Sequence, residues 1–220
     1  MRGSKEGKGG LSLKNGVYWA AALLPFVISL AFYGRLPEQV PTHWNAQNMV
    51  DGYSSRNMAC FGIPAFMLLM AAGINLAFKL DPKRGNIVRS REIMEISRWF
   101  IVLMAVLMQG VIIASGLGYD VDVGRIVSIA IALLVMVMGN YLPRCRQNYT
   151  MGIKLPWTLE DEDNWIRTHR LAGYLWLAGG ILMAVAGYLR LLWVYAGIII
   201  AISLIPAVYS YLIYKKKQQR

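Results

Sequence analysis

Residues 171–214 read LAGYLWLAGGILMAVAGYLRLLWVYAGIIIAISLIPAVYSYLIY, and Arg190 is the one charged residue among them. As a single helix these 44 residues would be about 66 Å long. That is roughly twice the ~30 Å hydrocarbon core of a bilayer. The stretch therefore predicts two membrane-spanning helices joined by a tight turn at Arg190. Working outward, four more uncharged runs of at least 18 residues precede it: Asn15–Gly34, Asn57–Phe78, Trp99–Tyr119 and Ile126–Pro143. Apolar residues make up 56% of the 220 and charged residues 16%, against about 25% charge in an ordinary soluble domain. The predicted fold is all-α, a polytopic membrane protein with six transmembrane helices. Residues 1–14 form a tail, 15–138 the first four spans with an outer loop at 35–57, and 139–173 an ordered inner loop. Residues 171–214 form the last two spans, and 215–220 a basic tail.

Charge sets the orientation. Nineteen of the 23 Lys and Arg fall in the tails and in the second-to-third and fourth-to-fifth connections. The other side holds only Arg35, Arg56, Arg125 and Arg190, balanced by four acids. Positive residues accumulate on the cytoplasmic side, so both termini are expected inside. The net charge of +11 then sits at a membrane border, where it meets anionic lipid heads. The bases interleave with no recognition motif, and no direct nucleic-acid partner is expected. Gly3, Ser4, Gly7, Gly9 and Gly10 mark the first dozen residues as disordered. Cys60 and Cys145 fall on opposite sides and cannot form a disulfide.

No span contains Asp, Glu, Lys, Arg or His. Ion-coupled carriers generally place such groups, or broken helices, at the midplane. Intramembrane proteases need a His pair or a triad, and His43 and His169 lie on opposite faces. No enzyme, metal or cofactor is expected. Asn75, Gln109 and Asn140, with Ser29 and Ser128, read as hydrogen-bonding groups between helices. Their alternative use is to line the cavity of a small-solute or peptide transporter. Gly180, Ala184 and Gly187 have the spacing of a close helix contact.

Two connections carry the remaining signal. In the outer one, RLPEQVPTHWNAQNMVDGYSSRN, Pro37 and Pro41 impose extended chain and Asp51-Gly52 reads as a turn. Ser54 or Ser55 can cap the following helix. The segment is either an ordered cap anchored by Trp44 and Tyr53 or a surface that recognises an extracellular ligand. His43, Asp51 and Glu38 match no known metal-ligand spacing. In the inner one, Thr158 and Asp161 have capping-box spacing, and Glu160–Asp163 crowd a helix start where the dipole favours acids. These acids are expected to pair with Arg144, Arg146, Lys154 and Arg167. Trp165 and His169 share one helix face.

These two segments resemble the SdpI family of small bacterial multi-pass proteins. Leu36-Pro37, Val40-Pro41, His43, Asn45 and Asp51-Gly52 are similar to the family's outer loop. Asn48 stands where the family usually has Gly, and Asn tolerates the left-handed backbone of such a turn. Gly139-Asn140, Pro143, Asn148, Gly152-Ile153, Pro156-Trp157-Thr158, Trp165, His169-Arg170 and Gly173 resemble its inner signature. The resemblance implies immunity to a secreted membrane-active peptide toxin in the bacterial cytoplasmic membrane. It assigns toxin contact to Pro41, His43, Trp44, Asn45 and Asp51. It assigns capture of a cytoplasmic transcriptional repressor to Asn140, Pro143, Asn148, Gly152, Pro156, Trp157, Trp165 and His169.

Overall fold

The computed structural model describes residues 6–219, with side chains from residue 13 onward. Six helices are long and apolar enough to cross a membrane: Leu13–Arg35, Met58–Leu80, Arg91–Gly116, Val123–Arg144, Glu162–Tyr188 and Leu192–Gln218. In chain order the elements are α1 (Glu6–Phe32), strands β1 (Gln39–Trp44) and β2 (Val50–Ser55), and α2 (Ile63–Leu80). A short α3 (Arg84–Arg89) and α4 (Arg91–Gly116) follow, then α5 (Val123–Tyr141), α6 (Pro156–Glu160), α7 (Glu162–Tyr188) and α8 (Leu192–Gln218). Helix α1 begins inside the tail that its glycines marked as disordered, because each residue added to an existing helix gains a backbone hydrogen bond. Residues 1–5 of that tail lie outside the described residues.

The chain forms two compact units, one reaching to Gly73 and including Arg98–Val121, the other comprising Ile74–Ser97 and the residues from Asp122 onward. In the first, Leu36 and Val40 are buried against Ala59, Cys60, Ile112 and Ile113. A Cβ at Gly116 would lie 2.7 Å from the Leu36 Cδ2 methyl and 3.1 Å from Val40, so a side chain at the end of α4 would have to displace Leu36. One π-helical turn, Met58–Gly62, opens the second span. There the Ile63 N–H reaches back to the Met58 carbonyl, and Pro64 has no N–H to give. The Ala59 carbonyl is left without a backbone donor, and the Gln109 amide supplies one at 3.2 Å. The same amide bonds Ser29 Oγ at 2.9 Å. Gln109 thus has the interhelical role expected of it and sits buried.

The second unit repeats the device. Pro206 inside α8 leaves the Ile202 carbonyl free, and the Trp176 indole N–H fills it at 3.1 Å. Helices α5 and α7 meet along glycines. A Cβ at Gly173 would lie 2.6 Å from the Pro143 ring, at Gly180 2.8 Å from the Met136 nitrogen and at Gly187 2.7 Å from Ser128 Cβ. Facing them, a Cβ on Gly139 would lie 2.6 Å from the Leu177 nitrogen. Any side chain here would push the two backbones apart.

The turn between α7 and α8 falls at Arg190, which takes a positive φ of 56°. Its guanidinium bonds Asp122 Oδ2 at 2.6 Å, and Arg125 lies 3.2 Å from the same oxygen. Asp122 also caps α5 by accepting the Arg125 N–H. The Arg190 hydrogen bond is the main influence holding this carboxyl below the usual carboxylate range; burial opposes it, and the Arg125 N–H and the two positive charges add smaller lowering effects. A lowered folded value means that the stabilisation is complete above about pH 4 and is lost as pH falls through that lower value. Thermal melts of wild type and Asp122→Asn should therefore differ at pH 7 and converge only as pH falls below the ordinary carboxylate range. A gap that persists at low pH would refute the charge latch.

Candidate functional site

The outer connection is a two-stranded antiparallel hairpin, pairing Gln39 with Ser55 and Trp44 with Val50. The turn is not at Asp51-Gly52, as the dipeptide suggested. It lies at Asn45–Met49, and Asp51-Gly52 belongs to β2. Asn45 Oδ1 accepts the backbone N–H groups of Gln47 and Met49, both at 3.0 Å, and this side-chain turn outcompetes the later signal. Asn48 takes the left-handed φ of 63° and donates its side-chain amide to the Val121 carbonyl at 3.1 Å. Gly52 serves the sheet instead, since a Cβ there would fall 2.8 Å from His43 Cβ at an irregularity in the register. Ser55 Oγ accepts the Met58 N–H, while Ser54 bonds Thr42 across the strands.

Pro41, His43, Trp44, Asn45 and Asp51 are thus brought onto one small element. Trp44 packs against the buried Leu36 and Val40 cluster and Asn45 shapes the turn. His43 and Asp51 point outward, joined by a 2.5 Å hydrogen bond with side chains 73% and 42% exposed. Tyr53 and Met49 are exposed beside them. Among the described residues no group of three His, Cys, Asp or Glu side chains could hold a metal ion.

The inner connection is tied down by buried polar groups. Asn148 Oδ1 accepts the N–H groups of Thr150 at 2.9 Å and Met151 at 2.5 Å, and its amide donates to the Arg146 carbonyl at 2.7 Å. The Trp165 indole donates to the Cys145 carbonyl at 2.7 Å, and its ring stacks on His169 with centroids 4.0 Å apart. His169 Nδ1 donates to the Trp165 carbonyl at 2.8 Å and Nε2 accepts the Ile153 N–H at 3.0 Å. That arrangement requires a neutral ring. Gly152 passes directly over this pair with φ +96°. Burial also pushes the Cys145 thiol up to about 11, against smaller opposing bonds from Asn148 and Ser90.

Thr158 is not a helix cap. It occupies the third position of α6, accepts the Leu155 N–H at 2.9 Å and donates to the Ile153 carbonyl at 2.8 Å. Asp161 caps α7 instead, accepting the N–H groups of Asp163 and Asn164. The acids pair differently from expectation as well. Asp163 bonds Arg167 at 2.9 Å, but Asp161 and Asp163 both meet Lys217 of the last helix, at 2.6 and 3.0 Å. Burial opposes ionisation of Asp161, yet Lys217 and the capped N–H groups outweigh it and keep that carboxyl low. Trp157 bonds Ser210 Oγ and packs against Tyr211 and Tyr214. Of the residues assigned to repressor capture, Asn148, Trp165 and His169 are fully buried and cannot touch a partner while the loop is closed. Gly152 and Trp157 are half-buried, and Asn140, Pro143 and Pro156 are exposed.

Asp81 was legible only as one more cytoplasmic acid, yet it anchors the loop. Its carboxylate, 6% exposed, accepts the Lys83 N–H at 2.7 Å, the Tyr149 N–H at 2.9 Å and the Thr150 hydroxyl at 2.6 Å. Gln147 completes the tether: its side chain takes the Lys83 ammonium and donates to the Thr158 and Leu159 carbonyls. Its backbone carbonyl accepts the Asn86 amide.

Comparison with known proteins agrees with this division into two segments. The model of the SdpI/YfhL protein family matches residues 144–210, the inner loop and the helices that frame it. A second family model, described as a domain of unknown function (DUF1648), matches residues 20–68, which contain the hairpin. The immunity protein SdpI of Bacillus subtilis (strain 168) is 26% identical over 206 residues, 92% of this chain and 97% of that protein. No solved structure matches significantly. With its inner signature assembled around Trp165 and His169, the chain is similar through residues 144–210 to the SdpI/YfhL protein family.

Proposed function

We propose that this chain is a non-enzymatic immunity protein of the bacterial cytoplasmic membrane, with both termini inside. It meets a secreted membrane-active peptide at the outer hairpin. The observation that carries this reading is the pairing of a fixed turn with an outward-facing, hydrogen-bonded His43 and Asp51. A hairpin already ordered by Asn45 and Asn48 loses little further entropy when a peptide docks. Near-complete alignment with a protein named for immunity supports the same role. On the inner face, exposed Tyr149, Lys154, Pro156 and Glu160 surround the buried Trp165–His169 frame. They are the surface on which a cytoplasmic repressor would dock.

A transporter reading gains nothing from Gln109, which is buried with its amide committed to Ser29 and Ala59.

The test is protection. Producing the chain in a sensitive bacterium should raise the lethal concentration of a cognate peptide at least about tenfold, a change of about 1.4 kcal/mol in effective exposure. His43→Ala with Asp51→Ala should abolish most of that at unchanged membrane abundance. Unaltered killing curves across a panel of secreted membrane-active peptides would overturn the proposal, and so would full protection by the double variant.

A further inference from the structure

At the end of the α7–α8 hairpin away from Arg190 lies a cavity of about 280 Å³, lined by Arg167, Ile213, Lys216 and Lys217. Its position along the helices is set by their lengths. Lys216 stands 24 residues beyond Leu192, and Arg167 stands 21 residues before Tyr188. At 1.5 Å per residue these are about 36 Å and 32 Å from the turn. A hydrocarbon core is about 30 Å thick, so the cavity lies in the headgroup layer. Its charge is not balanced. Arg167 and Lys217 are paired with Asp163 and Asp161, whereas Lys216 makes no ion pair among the described residues. Three cations against two carboxylates leave one positive charge.

We infer that this cavity holds the phosphate of an anionic phospholipid. A phosphodiester carries the single negative charge that the lining lacks. The space suits a headgroup and not a whole lipid, which leaves the acyl chains to run down the exposed apolar surface of α7 and α8. Ile213 supplies the apolar wall beside the glycerol. Choline lipids bring their own cation and would not offset Lys216. Inorganic phosphate has the charge but nothing to place on Ile213. The inference depends on the membrane-spanning fold and not on the immunity role.

The test is native mass spectrometry of the full-length protein in mild detergent, loaded with phosphatidylglycerol or with phosphatidylcholine of the same chains. One phosphatidylglycerol per chain should be retained, with phosphatidylcholine held at least about fivefold less. Millimolar inorganic phosphate should not displace it. Lys216→Met, which breaks no ion pair, should lower retention about fivefold, the worth of one base near an anionic headgroup. Lys154→Met removes an equal charge from the loop outside the cavity and should leave retention unchanged. Equal retention of the two lipids, wild-type retention by Lys216→Met, or displacement by phosphate would each overturn the inference; the last would identify a free-anion site.

Discussion

Gly152→Ala should all but eliminate the folded protein from membranes. The substitution meets two penalties at one point. A φ of +96° is poorly tolerated by any residue with a side chain, and the new Cβ would overlap His169 Nε2 while lying 3.1 Å from the Trp165 ring. Neither ring can retreat, since both are fully buried and stacked on each other. Displacing His169 also strands the Ile153 N–H and the imidazole nitrogen it bonds. Backbone strain and the broken buried hydrogen bond together cost on the order of 3–5 kcal/mol. Whole-protein stability is typically about 5–15 kcal/mol, so a large fraction of the margin is consumed. Gly85→Ala is the control. Gly85 lies in α3 with nothing within 4 Å of a new Cβ, and alanine there should be neutral or stabilising by up to about 1 kcal/mol. Equal membrane abundance and equal melting temperature for the two variants would show that the loop does not close over His169 as described.

Asp81→Asn should open the inner loop without unfolding the spans. The carboxylate offers two acceptor oxygens to three donors. Asparagine keeps one oxygen and turns an N–H₂ toward the donors at the other site. Either Lys83 or the Tyr149–Thr150 pair then faces a donor, at a cost of roughly 2–4 kcal/mol. Cys145 reports the change. Its thiol is buried beneath the loop and pushed up to about 11, so at pH 7.5 almost none is thiolate and none is accessible. In a Cys60→Ala background, maleimide should label Cys145 in Asp81→Asn at least about tenfold faster than in the parent, as expected for an opening made more than about 1.4 kcal/mol easier. Unchanged labelling with unchanged protease resistance would refute the anchoring role.

Much of this was readable from residue order. The six spans follow from the absence of charge over lengths that fit a bilayer, and the Arg190 turn follows because 44 apolar residues exceed one crossing. Asn48 announced its left-handed backbone, and Gly180 and Gly187 their close contact. What escaped has a common cause. The strands contain Pro41, Asp51 and Gly52, all poor strand residues, and they pair because Asn45 closes the turn and Leu36 and Val40 find cover against the helices. Asp81 meets donors 68 and 69 positions away, and Lys217 meets Asp161 across 56, separations that no local pattern encodes. Thr158 and Asp161 had the right spacing for a cap, but Pro156 starts α6 one turn earlier and moves Thr158 inside it. Near-invisible at the level of sequence, too, was the burial of Trp165 and His169. Four-residue spacing placed them on one face but did not say that Gly152 would cover it.

The glycines of α7 recur at 173, 180 and 187, seven apart, and α5 lies against that row with no room for a methyl group. A piston stroke of one helical turn would carry Leu177 to the level of Gly173 and jam the seam, so sliding is barred. The helix can still tilt as a stiff lever, with the Arg190 turn at one end and the His169 frame at the other. Any message that it conveys must therefore arrive as a change of angle.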